Sequence, residues 1–374
     1  MKICKLGQIA KFKTGKLNSN ASEINGRYPF FTCAPEPLKI NTYAFDTKAI
    51  ILAGNNAEGN FHIQYFEGKF NAYQRTYIIE TIDNSIVDIR YLYYALKMCL
   101  QHFKLISQGT ATKFLTAKIL GAFELHIPPI EEQQKIVLLL SGLDEKVKTN
   151  ERINNNLLEQ VLTLYRNDFV DTVHDEREIC RADEYFDISI GKTPPRKEPQ
   201  WFSTNPQDVT WVSISDMGTC DLYISSSSEQ LTREAVERHN VKIVPDNTVL
   251  LSFKLTVGRI AITNGEMTTN EAIAHFKTDK KEINEYLYCY LKCFNYQTMG
   301  STSSIATAVN SKIIKGMPFV VPTNDELEEF HGFAAPMFAK IKANQIETDN
   351  LTALRDILLP KLMSGELDVS DIGL

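Results

Sequence analysis

Seven cysteines and seven histidines are the residues of this chain best suited to metal or nucleophilic chemistry, and their spacing supports neither. Cys4, Cys33, Cys99, Cys180, Cys220, Cys289 and Cys293 form an odd, scattered set without a CxxC, and no histidines are paired at metal-ligand spacing. Cys289 and Cys293 can share a helix face, where a reduced apolar pair is expected rather than half a zinc site. Gly191-Lys192-Thr193 ends like a phosphate loop, but Phe186 stands where the loop's first glycine belongs and Pro194 follows at once. Pro128-Pro129 and Pro194-Pro195 lack the flanking Asn or Asp and aromatic residue of an amino-methyltransferase motif, and no glycine-rich methyl-donor loop accompanies them. There is no GxSxG elbow, no HExxH helix and no nuclease-like Asp followed by Glu-x-Lys. The carboxylate pairs Glu131-Glu132 and Glu328-Glu329 fall at expected helix starts, where they favour the helix dipole. These residues point to a chain that binds rather than one that catalyses.

What positions them is an internal repeat. Lys146, Lys148, Asn150, Asn156, Leu157 and Leu164 align without a gap, at a spacing of 194, with Lys340, Lys342, Asn344, Asn350, Leu351 and Leu358; Glu132 meets Glu326. A weaker match relates Thr110-Ala111-Thr112 to Ile305-Ala306-Thr307, and Gly15-Lys16 matches Gly191-Lys192 at a spacing of 176. Each copy ends in a heptad seam. The first runs through Ile136, Leu140, Leu143, Val147, Asn150, Asn154, Leu157, Val161 and Leu164. The second runs through Phe330, Ala334, Met337, Ile341, Asn344, Thr348, Leu351, Arg355, Leu358 and Leu362. Seams on both copies predict that the helices pack on each other, with Asn150 and Asn344 fixing register at some cost in stability. Gly142 and Pro336 predict a break in each helix, leaving long segments over 143–168 and 337–363, and Pro360 predicts a kink or an end. Thr323 with Glu326 reads as a capping box. Before each helix lies a strand-rich part. The β-branched and aromatic runs 28–33, 49–53, 61–66 and 75–79 precede a helix over 89–100, and the runs 209–214, 248–253, 259–263 and 272–276 precede one over 283–293. The fold class is α+β, with two mixed parts in tandem, each followed by a long helix. The boundaries read as 1–128, 129–170, 171–322 and 323–374.

With 374 residues, 43% hydrophobic and 23% charged, the chain can bury a real core and is neither disordered nor of low complexity. No stretch is apolar enough to span a bilayer and the first residues carry no signal core, so a cytoplasmic protein without a membrane partner is expected. The net charge of −6 hides an asymmetry. Residues 1–128 hold 15 basic and 9 acidic side chains, a net +6, whereas the three later segments carry −2, −4 and −6.

Two strings give this plan a likeness. Ile127-Pro128-Pro129-Ile130-Glu131-Glu132-Gln133-Gln134-Lys135-Ile136 resembles the lead-in to the central region of the DNA-specificity subunits of type I restriction-modification enzymes. Leu354-Arg355-Asp356-Ile357-Leu358-Leu359-Pro360-Lys361-Leu362-Met363-Ser364-Gly365-Glu366 resembles that family's C-terminal signature. The order of domain, helix, domain, helix is also similar. Three strings of the second part, Trp211 to Met217, Val257 to Ile262 and Thr269 to Ile273, look like strands of its recognition domains. One departure is Asp325-Glu326-Leu327 where the first copy has Glu131-Glu132-Gln133-Gln134.

The resemblance implies two target-recognition domains, each reading half of a split, asymmetric site in double-stranded DNA, with the helices packed as an antiparallel coiled coil that sets the spacing. It implies docking of two methyltransferase subunits and of restriction/translocase subunits. It places S-adenosylmethionine, ATP and Mg on those partners, with no cofactor, metal or catalytic residue in this chain. Base edges are read best by Arg or Lys at guanine and Asn or Gln at adenine, from loops on a rigid scaffold. The candidates are Asn55, Asn56, Lys69, Gln74 and Arg75 in the first part and Lys254, Thr256, Arg259, Thr269 and Asn270 in the second, with Lys192, Arg196 and Lys197 as a phosphate-holding loop. Asn55 and Asn56 beside Gly54 read equally as turn formers. A rival from another class is a coiled-coil interaction scaffold that binds no DNA.

Overall fold

The computed structural model describes residues 2–109, 112–172, 177–299 and 309–369. Of the weak upstream repeat, Thr110, Ala111, Ile305, Ala306 and Thr307 lie outside them. The chain forms two compact units, Met1–Lys146 with Asn350–Leu374, and Val147–Asp349. The strand-rich parts fall one in each, and both long helices contribute to both.

In the first unit, β-branched and aromatic alternation builds a six-stranded sheet in the order Ala10–Thr14, Thr76–Thr81, Phe45–Ala53, Ile63–Ala72, Tyr28–Phe31, Leu38–Ile40. The first four strands pair antiparallel and the fifth joins parallel. In the second unit the five-stranded sheet runs Asp187–Ile190, Ile273–Lys277, Val249–Ser252, Ile260–Thr263, Tyr223–Ile224, with the same succession of antiparallel and parallel pairs. Helix Ile89–Met98 follows the first sheet and Asn284–Cys293 the second. The ends of each strand-rich part meet. Lys2–Lys5 pairs with Glu124–Ile127, and Leu6 N donates to Phe123 O at 2.8 Å. Ile179–Arg181 pairs with Pro318–Val320, and Ala182 N donates to Met317 O at 2.8 Å. The repeat visible as scattered identities is thus a repeat of topology.

The long helices are Ile130–Tyr165 and Asn324–Ser364, each unbroken, which corrects the expected breaks at Gly142 and Pro336 and, of the kink or end expected at Pro360, excludes the end. Pro336 and Pro360 are exposed, as are Gly332 and Asp356, whose carbonyls lose the proline N–H. Both prolines thus sit on the solvent side of the helix, while Phe330, Ala334, Phe338 and Ile341, and then Leu359 and Leu362, stay buried on the other side. Gly142 is exposed too, with nothing near its missing Cβ, and its propensity cost of about 1 kcal/mol is outweighed by neighbours such as buried Leu140. The expected capping box is present, with Glu326 N donating to Thr323 Oγ1 at 3.3 Å and Thr323 N to Glu326 Oε2 at 2.9 Å.

The seam positions are buried or half-buried throughout: Leu143, Val147, Asn150, Leu157, Val161 and Leu164 on one helix, Met337, Ile341, Asn344, Leu351 and Leu358 on the other. In the second unit, Asn344 Nδ2 donates to Asn154 Oδ1 at 2.8 Å and Asn150 Nδ2 to Glu347 Oε2 at 2.9 Å, and the Tyr165 and Phe330 rings stand 5.9 Å apart. In the first unit, Arg355 donates to Asp144 at 2.9 Å, Asp144 accepts from Tyr94 Oη at 2.6 Å, and Ile136 and Leu140 share a core with Leu359 and Leu362.

The latches between strand-rich part and helix differ. Gln133 is fully buried and spends its amide on three backbone groups, accepting from Asp88 N at 2.9 Å and donating to Ile86 O at 2.9 Å and Pro128 O at 2.8 Å. At the equivalent position the second unit has Leu327, and Arg177 does the tying instead. Its guanidinium pairs with Glu326 at 2.8 Å, donates to Asp168 O at 3.0 Å and lies 4.8 Å over the Phe169 ring.

Candidate nucleic-acid interface

In each unit the sheet's first strand ends in a Gly-Lys turn that lies against the chain beside another strand. A Cβ at Gly15 would collide with the carbonyl oxygen of Ala72, and one at Gly191 with Thr269 and the carbonyl oxygen of Asn270. Both glycines are therefore required by close backbone approach. The Gly15 turn continues into Leu17 and Asn18, where Gln74 N donates to Leu17 O at 2.9 Å and Gln74 Nε2 to Asn18 Oδ1 at 3.1 Å. Arg75 follows, exposed and with no side-chain hydrogen bond or ion pair among the described residues, while its carbonyl accepts from Gly54 N at 2.8 Å. Asn55 is next in line and accepts from Cys33 Sγ at 2.7 Å. The structure thus brings Asn55, Gln74 and Arg75 together. Asn56 is a turn former, its Oδ1 taking the N–H groups of Glu58 and Asn60. Lys69 makes no contact with this group, and its ammonium lies 4.7 Å over the Tyr43 ring.

The second unit gathers two loops. In the first, Lys192 N donates to Thr269 O at 2.9 Å, its Nζ to His239 O at 2.6 Å, and Trp211 Nε1 donates to Lys192 O at 3.2 Å. Arg196 is pinned by Glu229 at 2.9 Å and stacks 4.2 Å from the Phe202 ring and 4.7 Å from that of Trp211. Lys197 is exposed, with no side-chain hydrogen bond or ion pair among the described residues. The second loop is the hairpin tip carrying Lys254 and Thr256, both exposed. Glu271 links the loops. Burial raises its carboxyl, but the Thr193 hydroxyl and the charges of Lys254 and Arg196 outweigh that and hold it below the usual carboxylate range.

Three candidates of the second unit have structural roles. Thr269 cannot reach a base, being fully buried with its Oγ1 2.7 Å from His275 Nε2, which corrects its assignment to DNA. Asn270 caps its own turn by accepting from Ala272 N at 3.1 Å. Arg259 donates to Ile214 O at 2.5 Å and packs against Gly218, so it braces the loop rather than leaving it. Lys16, which the candidate set omitted, is exposed on the first unit's Gly-Lys turn, and the match of Gly15-Lys16 to Gly191-Lys192 was the signal for it.

Among the described residues no cluster of His, Cys, Asp or Glu is arranged to hold a metal, the cysteines are free, and no helix is long and apolar enough to cross a membrane. Exposed cations and amides on rigid loops can hold phosphates and read base edges.

Residues 1–159 and 175–334 match the type I restriction modification DNA specificity domain. The specificity subunit of the Escherichia coli type I restriction enzyme EcoDI is 37% identical over 166 residues, 44% of this chain and 36% of that one, so the match spans about a third of that relative. The HindI specificity subunit of Haemophilus influenzae is 22% identical over 345 residues, 71% of this chain and 74% of its own length. The MjaIX specificity subunit of Methanocaldococcus jannaschii is 27% identical over 313 residues, 75% and 70% of the two chains. The crystal structure of a type I restriction-modification S subunit from M. genitalium has the same fold, with a TM-score of 0.63 at 17% identity over 96% of this chain and 95% of that one. With two tandem domain matches over most of its length, the chain belongs to the type I restriction-modification DNA specificity family.

Proposed function

We infer that this chain is the DNA sequence-specificity subunit of a type I restriction-modification complex, each strand-rich part reading one half of a split target in double-stranded DNA. The observation that carries this reading is the duplicated sheet. Two copies of one strand order each place a Gly-Lys turn and exposed polar or basic loop residues on a rigid frame, which suits two half-sites of different sequence. The long helices act as an antiparallel coiled-coil spacer. Within the second unit, supporting pairs run from Asn150 with Glu347 and Asn154 with Asn344 to Tyr165 with Phe330, partner numbers falling along one helix as they rise along the other. The chain docks two methyltransferase subunits and the restriction/translocase subunits. S-adenosylmethionine, ATP and Mg act on those partners, and this chain selects the site without catalysing.

The test is genome-wide detection of modified bases by single-molecule sequencing in cells expressing this chain with its methyltransferase subunit and in cells lacking the chain. A split motif methylated on adenine that disappears with the chain is the expected result. No difference beside an active methyltransferase would move the reading to a scaffold that binds no DNA.

A further inference from the structure

The tip of the hairpin between Val249–Ser252 and Ile260–Thr263 carries two features that cost stability. Leu255 is fully exposed, at 101%, and its φ of +59° lies in the left-handed region. The other non-glycine residues of positive φ among those described are Asn240 and Asn247, the type that tolerates this conformation. A glycine or asparagine at 255 would relieve the backbone and expose no apolar surface.

The tip is also fixed. Ser252 Oγ donates to Thr256 O at 2.6 Å and accepts from Arg259 N at 3.0 Å, while Gly258 N donates to Ser252 O at 3.0 Å. Phe253, buried, donates its N–H to Ala272 O at 2.9 Å, and Gly258 lies against the Tyr296 ring. A single exposed leucine is ordinary on a protein surface. One held in a strained conformation, at a stapled tip between an exposed Lys254 and an exposed Thr256, is not, and strain of this kind gathers at functional positions. The corresponding hairpin of the first unit, between Phe45–Ala53 and Ile63–Ala72, carries Asn55 and Asn56.

We propose that Leu255 is an apolar wedge that seats against a base step in the half-site read by the second unit, with Lys254 and Thr256 on the flanking phosphates. The proposal rests on the reading of this chain as a DNA-specificity subunit. Apolar side chains pressed into a step unstack it, and pyrimidine–purine steps yield most readily, so a step of that kind is the expected contact. A lysine beside the wedge adds phosphate attraction that falls with salt.

The test uses the complex assembled with its methyltransferase subunits and duplexes of the mapped target, with 2-aminopurine placed in turn at each adenine of that half-site. The expected result is a fluorescence rise at one position on binding. Leu255→Ala and Leu255→Gly should abolish it and weaken binding about tenfold, as one lost base-pair contact does, while Leu255→Phe keeps both. Thermal melting of Leu255→Gly at or above the wild-type temperature shows that its fold is intact. Normal affinity and fluorescence with Leu255→Gly would overturn the wedge alone. Loss of assembly with the methyltransferase subunits would overturn it in favour of a protein contact, and no duplex binding by the wild-type complex would sink the DNA reading along with it.

Discussion

The two units share a sheet and differ in what they hang on it. The strand order, the Gly-Lys turn and the antiparallel pair at the ends recur, so the frame is independent of the target. The hairpin tip is polar in one unit and apolar with a lysine in the other. The helix latch is a buried amide in one and an ion pair whose guanidinium lies over an aromatic ring in the other. The lesson is that close backbone approach and strand pairing keep a frame constant while side chains on its loops and latches vary.

The strongest way to break the comparison is to exchange residues 1–128 for the first domain of another family member. One half of the methylated motif should change and the other persist, read by sequencing of modified bases; if both halves change, the units do not read separately. Next in size, inserting four residues between Leu143 and Asp168 should alter the spacing between the halves and leave both readable, seen in the same assay.

Gln133→Leu copies the second unit's Leu327 into the first. It strips the side-chain partner from Asp88 N–H and from the Ile86 and Pro128 carbonyls, of which the Pro128 bond is buried and the other two part-buried, so a loss on the order of 2 kcal/mol is expected. Faster hydrogen exchange over residues 86–96 checks it; unchanged exchange would show the latches to be interchangeable.

The smallest effect separates the units by pH. Burial, and then the charge of Lys277, pushes the His275 imidazole down to about 3, and it stays neutral between Ser189 and Thr269. An unfolded chain takes up that proton near pH ~6.5. Its contribution is therefore full above that pH and falls as pH drops from ~6.5 toward 3. Trp201 and Trp211, the chain's two tryptophans, both lie in the second unit, so their fluorescence in urea melts follows it. His275→Gln should flatten the pH dependence of that melt.

Much of this was legible in the sequence where a local period carried it. The heptad seam and its central asparagines, the runs that became Phe45–Ala53 and Val249–Ser252, and the capping box at Thr323 each depend on neighbours in the chain. The helices were expected to break because a proline's cost was assigned without knowing its face, and the exposure of Pro336 and Pro360 decides it. Thr269 read as a DNA contact because its partner His275 belongs to another strand. Leu255 gave no signal, since neither its exposure nor its φ is written in residue type.

The pairing of Lys2–Lys5 with Glu124–Ile127, and of Ile179–Arg181 with Pro318–Val320, makes each strand-rich part a cassette whose two ends are hydrogen-bonded to each other. Loops between Leu6 and Phe123, or between Ala182 and Met317, that lie away from the helix contacts can lengthen, shorten or diverge without moving the points where each part is spliced to the rest. Recombination or gene conversion crossing at those two strand pairs would therefore deliver a new half-specificity in one event, provided the incoming part keeps its side of the helix contacts, such as Tyr94 on Asp144.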